Sequence, residues 1–183
     1  MSDPFELIKP VDGTDHVLGT AHAPVVVVEY GDFQCPNCKQ AASAVKILLN
    51  RFENRVQFAY RHFPLIEIHE HALGAAQAAE CAGAQGKFWE MYTLLFDNQM
   101  RLARNYLDRY AKLLELNMGR YMAEMDDGIY LQRIQDHIES GRRSGVRSTP
   151  GFFVNGRGKD VSFGLHLLLD AIEAALESKG INA

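Results

Sequence analysis

Val25-Val26-Val27-Val28-Glu29-Tyr30-Gly31-Asp32-Phe33-Gln34-Cys35-Pro36-Asn37-Cys38 is the stretch on which the reading of this chain turns. The valine run has the content of a buried strand, and Gly31 and Asp32 signal a turn. Beyond Cys38, the residues Ala41, Ala42, Ala44, Val45, Leu48, Leu49 and Phe52 have the spacing of an amphipathic helix. The two cysteines therefore sit where a strand turns into a helix. A helix start presents unpaired N–H groups and partial positive charge, so a thiolate at Cys35 is stabilised and ionises below the roughly 8.5 of a free cysteine. Cys38 is close enough to attack any mixed disulfide formed at Cys35. The implied chemistry is thiol–disulfide exchange.

Competing uses of the pair are weaker. A structural zinc site wants four ligands, and the one further cysteine, Cys81, lies in an alanine-rich helical segment with no ligand spaced for zinc. His69 and His71 stand two apart, which on a helix puts them on different faces. Neither a metal nor a bound organic cofactor is expected. The 183 residues fit one domain with a sizeable core, and 47% hydrophobic with 23% charged residues is ordinary for a globular protein. A net charge of −4 without a long basic tract gives no reason to expect nucleic acid. The aliphatic run Val25 to Val28 is far too short to span a membrane. Met1 to Glu6 has neither a basic nor an apolar leader region, so the chain as written reads as cytoplasmic. A mature exported protein cloned behind a new Met would look the same.

Farther along, Val56 to Tyr60 reads as a second strand ended by Pro64, and Glu67 to Arg143 reads as helical throughout. Segments are expected over His71–Ala84, after Gly86, around Leu107–Leu114, Tyr121–Met125 and Tyr130–Ser140. Strand character returns after Pro150, where Phe152–Val154 and Lys159–Phe163 flank Asn155-Gly156, a hairpin signal because both residues tolerate positive φ. Leu165 to Leu176 marks a closing helix. The expected organisation is an α/β domain of residues 1–64 and 145–183 with a helical subdomain, 65–144, inserted.

The phrases Tyr30 to Cys38, Glu80-Cys81-Ala82, Gln85 to Glu90 and Gly145 to Gly156, with Ser148-Thr149-Pro150 before the hairpin, resemble the DsbA-like branch of the thioredoxin fold. The resemblance implies that fold, its helical insertion lying between the second strand and the Pro150 hairpin. It also implies Cys35 as exposed nucleophile, Cys38 as buried resolving thiol, and Pro150 as a cis proline beside them. Backbone groups of Thr149 are then free to pair with an extended substrate, and Phe33, Pro36 and Asn37 join them as substrate-side residues. Glu29, six residues before Cys35 in a buried strand, has the raised pKa that lets it take a proton from Cys38. Its alternative is a strand-end carboxyl that reaches water. Asn37 brings a dipole where the strongly oxidising members of that branch have histidine. Arg142, Arg143 and Arg147 read as a solvated helix end, with an active-site role as the alternative.

The expected partners are protein or peptide thiols and disulfides, with glutathione or a redox-recycling protein as the second reactant. Two other readings stand beside this one: a glutathione-dependent transferase or isomerase of kappa type, and a non-catalytic redox-sensing binding module.

Overall fold

The computed structural model describes residues 5–162 and 164–181. Its strands are β1 (His16–Gly19), β2 (Val25–Gly31), β3 (Val56–His62), β4 (Gly151–Val154) and β5 (Arg157–Lys159). Helix α1 (Pro36–Arg51) joins β2 to β3, and α7 (His166–Glu177) follows β5. Five helices lie between β3 and β4: α2 (Ala72–Gly83), α3 (Phe88–Asp97), α4 (Arg104–Leu113), α5 (Met118–Asp127) and α6 (Leu131–Arg143). The sheet order is β1-β3-β2-β4-β5; β2 and β3 run parallel, and every other neighbour is antiparallel.

The parallel pair is central and buried on both faces, which is why β2 reads as a continuous valine run instead of an alternation. Successive side chains still point to opposite sides. Val25, Val27, Val56, Phe58 and Tyr60 join the core under α1, α3 and α7. Val28, Tyr30, Ala59 and Phe153 face Ile134 and Ile138 of α6. Helices α2 to α5 extend the first of these cores without a break, through Ala75, Ala78, Met91, Leu107 and Tyr121.

Two features depart from the sequence reading. Strand β1 has four residues, too few to carry a periodic signal, and is held by its antiparallel pairing with β3. The hairpin closes earlier than the alternation indicates: Asn155 (φ 48°) and Gly156 (φ 80°) form a two-residue turn, and Val154 pairs with Arg157. The returning strand is thus Arg157–Lys159, not Lys159–Phe163; Phe163 itself lies outside the described residues. Gly158 hides this from sequence inspection. A Cβ there would stand 2.3 Å from the Cβ of Phe5, whose carbonyl accepts the Gly158 N–H at 2.7 Å.

Arg61, on β3, is fully buried. Its guanidinium donates to both carboxyl oxygens of Asp15 (2.8 Å each), to the Lys9 and Pro10 carbonyls, and to the Tyr30 hydroxyl at 3.0 Å. It clasps the N-terminal segment onto the sheet and reaches Tyr30, which pairs with Gly151 beside Pro150.

Candidate active site

Cys35 is the N-cap of α1, and Pro36 occupies its first turn, where a missing N–H costs nothing. The turn before it is held by Asp32. One carboxyl oxygen of Asp32 accepts the Gln34 N–H at 2.7 Å; the other accepts from Leu65 N at 2.8 Å and pairs with His69 Nδ1 at 2.7 Å. The Asp32 N–H points at Cys38 Sγ, 3.4 Å away. Gln99, just beyond α3, donates its side-chain amide to the carbonyls of Phe33 (2.9 Å) and Cys35 (2.8 Å). The Thr149–Pro150 bond is cis, and the Cys35 thiol donates to the Thr149 carbonyl at 3.4 Å.

Both cysteines are free thiols, and they are unequal. Cys38 is completely buried, whereas Cys35 keeps 6% of its surface, so it is far less open than the resemblance implies. The neighbouring Cys38 thiol draws Cys35 down to about 5 against the opposing cost of burial, with Thr149 and the N–H groups of Cys38 and Asn37 adding to the effect. Burial, then Cys35, then the Glu29 charge hold Cys38 as a thiol far above the ordinary range. Glu29 lies on β2, completely buried; burial first and the Cys35 thiolate second push it up to about 8. At neutral pH the site therefore holds a thiolate at Cys35, a thiol at Cys38 and a protonated carboxyl at Glu29.

These shifts act on stability in opposite senses. Cys35 stabilises the fold fully above the ordinary thiol range, and that contribution is lost as pH falls through about 5. Glu29 contributes below the ordinary carboxyl range, and its contribution is lost as pH rises through about 8. In the dithiol form the two largely cancel between those values. In the disulfide form only the burial of Glu29 remains, so stability falls as pH rises across that window. Urea unfolding of both redox forms at pH 5 and 8 is expected to show a pH-dependent loss in the disulfide form alone. Parallel losses in both forms would refute the assignment of the thiolate to Cys35.

Asn37, Thr149 and Pro150 line one groove of about 350 Å³ with Gln40, Ser148, Ser162 and Leu165. Phe33 is not part of it: 1% exposed, its ring packs against Tyr60, Tyr92 and Phe96 and braces the turn from below. Arg147 is exposed and lines a neighbouring depression beside Pro150, and Arg142 and Arg143 are exposed in the last turn of α6. His62 turns away to Glu80, which also binds His16 and Arg133. Sequence reasoning missed Asp32 as more than a turn residue, although an Asp two positions before a bonded N–H is an Asx-turn signature. Gln99 had no local signal, since it meets Cys35 across 64 positions.

Cys81 is fully buried in α2, and burial pushes its thiol up to about 12. Cys81→Ala is expected to leave turnover near wild type at a cost of about 1–2 kcal/mol in urea unfolding, since only one sulfur is removed from the core. Loss of most turnover in a folded variant would reveal a third redox thiol.

A family model described as Thioredoxin matches residues 11–174. Among solved structures, a thioredoxin-like oxidoreductase from Silicibacter pomeroyi DSS-3 superposes with a TM-score of 0.80 at 26% identity, covering 91% of this chain and 94% of that one. BdbD from Bacillus subtilis in its oxidised form gives a TM-score of 0.80 at 22% identity, covering 89% and 93%. A sequence relative named Na(+)/H(+) antiporter NhaA 1, from Salinispora arenicola, is 44% identical over 172 residues, 93% of this chain but 26% of the relative. The relative named Na(+)/H(+) antiporter NhaA, from Herminiimonas arsenicoxydans, is 34% identical over 94% of this chain and 27% of its own length. The chain spans about a quarter of the length of these curated relatives.

Proposed function

Because the chain belongs to the thioredoxin family and has the fold of its DsbA-like oxidoreductases, we propose that it exchanges disulfides with protein or peptide thiols through Cys35 and Cys38. The observation that carries this reading is the geometry of the pair: Cys35 caps α1 with its sulfur 3.4 Å from the Thr149 carbonyl before the cis Pro150, and Cys38 lies wholly buried in the same turn. In the reducing direction the Cys35 thiolate attacks a substrate disulfide sulfur. One substrate sulfur leaves as thiolate, and the other stays bonded to Cys35. Cys38 then attacks the Cys35 sulfur and gives its proton to the ionised form of Glu29, and the second substrate thiolate departs. That form is less disfavoured once the Cys35 charge is consumed in the mixed disulfide. The substrate gains two electrons and the pair becomes a disulfide, to be reduced again by an external thiol such as glutathione or a recycling protein. The groove at Thr149 and Pro150 offers backbone to an extended peptide beside the reacting sulfur.

Among the described residues no helix is long and apolar enough to cross a membrane. Insulin reduction by dithiothreitol, followed as turbidity, tests the activity. Acceleration by the wild type and none by Cys35→Ser supports the reading, and equal rates without protein refute it.

The potential follows from the thiolate. A Cys35 at about 5, set against about 7 in thioredoxin, favours the dithiol form more at pH 7, on the order of 2 kcal/mol or roughly 40–50 mV. Taking thioredoxin near −270 mV, this chain is expected near about −220 mV. A pair so poised rests largely as the dithiol in a reducing cytosol, which is where we place its action. Equilibration in glutathione buffers, read by alkylation, gives the value. A potential near the strongly oxidising extreme of about −120 mV would show that groups beyond the dipeptide set the poise.

A further inference from the structure

The turn between β2 and α1 is held by two distant parts of the chain. Gln99 grips the Phe33 and Cys35 carbonyls at 2.9 and 2.8 Å. The second grip comes from the segment Phe63 to His71, which joins β3 to α2. Phe63 N–H donates to the Gly31 carbonyl at 2.7 Å, and His71 N–H donates to the Gln34 side-chain oxygen at 2.7 Å. Between these two bonds lies the buried Asp32 carboxyl. One of its oxygens takes Leu65 N–H and meets His69 Nδ1, and the other takes Gln34 N–H. Because both oxygens already accept from backbone N–H groups, the His69 ring donates from Nδ1. The segment is braced within itself, since the Leu65 carbonyl accepts the N–H groups of Ile68 and His69.

The consequence falls on one atom. With its carboxyl bonded at both oxygens and its carbonyl accepting the Cys35 N–H at 3.1 Å, Asp32 is fixed in orientation. Its own N–H is thereby directed at Cys38 Sγ, 3.4 Å away. Cys38 is the attacking sulfur of the resolving step, and negative charge gathers on it as its proton leaves. A donor already in place lowers the cost of that charge with no reorganisation at the moment of reaction. We propose that Asp32 and His69 form a positioning couple for the resolving step, holding the Asp32 N–H on the Cys38 sulfur. The inference rests on the oxidoreductase reading and deepens it.

In that step the Cys38–Cys35 bond forms, the bond from Cys35 to the substrate sulfur breaks, and that sulfur leaves with the electron pair. The Cys38 proton goes to the ionised form of Glu29, so neither Asp32 nor His69 gains or loses one. Two opposed trends set the size of the effect. A hydrogen bond that raises the Cys38 thiolate fraction tenfold lowers the reactivity of each thiolate about threefold, because nucleophilicity follows basicity with a slope of about 0.4–0.5. The net gain is about threefold for each tenfold of thiolate. Burial holds Cys38 as a thiol far above the ordinary range, so the gain is not exhausted at neutral pH. Capture by Cys35 is insulated from the couple. Gln99 still grips the Cys35 carbonyl when His69 is lost. The groups that draw Cys35 down, first Cys38, then Thr149 and the N–H groups of Cys38 and Asn37, all lie outside the 63–71 segment.

The test uses the full chain with dithiobis-nitrobenzoate as the disulfide. Attack by Cys35 releases one aromatic thiolate at a rate proportional to the reagent. Closure by Cys38 releases a second at a rate independent of it, so one stopped-flow absorbance trace reads capture and resolution apart. His69→Leu removes the donor from a side chain that is 17% exposed, and Asp32→Asn sets an amide N–H against one of the donors now satisfied. Both variants are expected to close about three- to tenfold more slowly with capture unchanged. His69→Asn, whose amide nitrogen stands where Nδ1 does, is expected to recover most of the closure rate. Closure at the wild-type rate in either folded variant would overturn the couple. Capture and closure slowed by the same factor would overturn it too, as the signature of a loosened site. A His69→Asn no faster than His69→Leu would remove the hydrogen bond as the cause. Neither phase needs a physiological substrate. Failure of insulin reduction by the wild type would therefore sink the oxidoreductase reading separately.

Discussion

Cys38→Ser is expected to accumulate mixed disulfides with its substrates, while Cys35→Ser forms none and turns over no faster than free thiols. The cause is the position of each sulfur. Cys35 caps α1 with its sulfur beside Thr149 and is held well below the ordinary thiol value, whereas Cys38 is wholly buried and held as a thiol. Only Cys35 can make the first attack, because the nucleophile in exchange is the thiolate. Only Cys38 is placed to release what Cys35 captures, so its removal leaves the covalent intermediate without an internal exit. Non-reducing gels after incubation with a disulfide-bonded protein, with alkylation to stop exchange, give the measurement. Equal trapping by both variants would refute the division of labour. A Cys35→Ser variant that still reduced insulin would refute the active site altogether.

Arg61→Ala is expected to destabilise the fold by about 3–5 kcal/mol, because it strands the buried Asp15 carboxylate. That side chain keeps only 2% of its surface and gets its two strongest bonds from the guanidinium. The Lys9 and Pro10 carbonyls and the Tyr30 hydroxyl lose a donor at the same time. For a chain of this length the melting temperature falls by roughly 10 °C or more. Arg61→Lys is expected to recover only part of the loss, since an ammonium cannot reproduce the planar fork that meets both oxygens of Asp15. Thermal unfolding at pH 7 checks both variants. A loss below about 1 kcal/mol for Arg61→Ala would show that water replaces the clasp and that the N-terminal segment is not held by it.

Much of this architecture is written in short stretches of sequence. The valine run of β2, the Gly31-Asp32 turn and the spacing from Ala41 to Phe52 place Cys35 at a helix start, because each depends only on neighbours within a few positions. Asn155-Gly156 marks its turn for the same reason, with both residues at positive φ. The helices between β3 and β4 repeat their apolar residues closely enough that their bounds differ from the reading by only a few positions. Strand β1 and the start of β5 escaped because they are short and specified by partners elsewhere, Tyr60 to Gln57 for one and Phe5 with Val154 for the other.

Sequence alone thus determined that two cysteines stand at the start of a helix behind a buried strand, since periodicity, turn residues and helix ends are local properties of the backbone. The tertiary structure decided how those residues behave. The inequality of the two thiols, the proton on Glu29, the burial of Phe33, the grip of Gln99 on Cys35 and the Arg61 clasp all depend on atoms brought from distant parts of the chain. Desolvation and hydrogen bonding act through space over a few ångströms, and which groups meet at that range is fixed only when the sheet and its helices have packed.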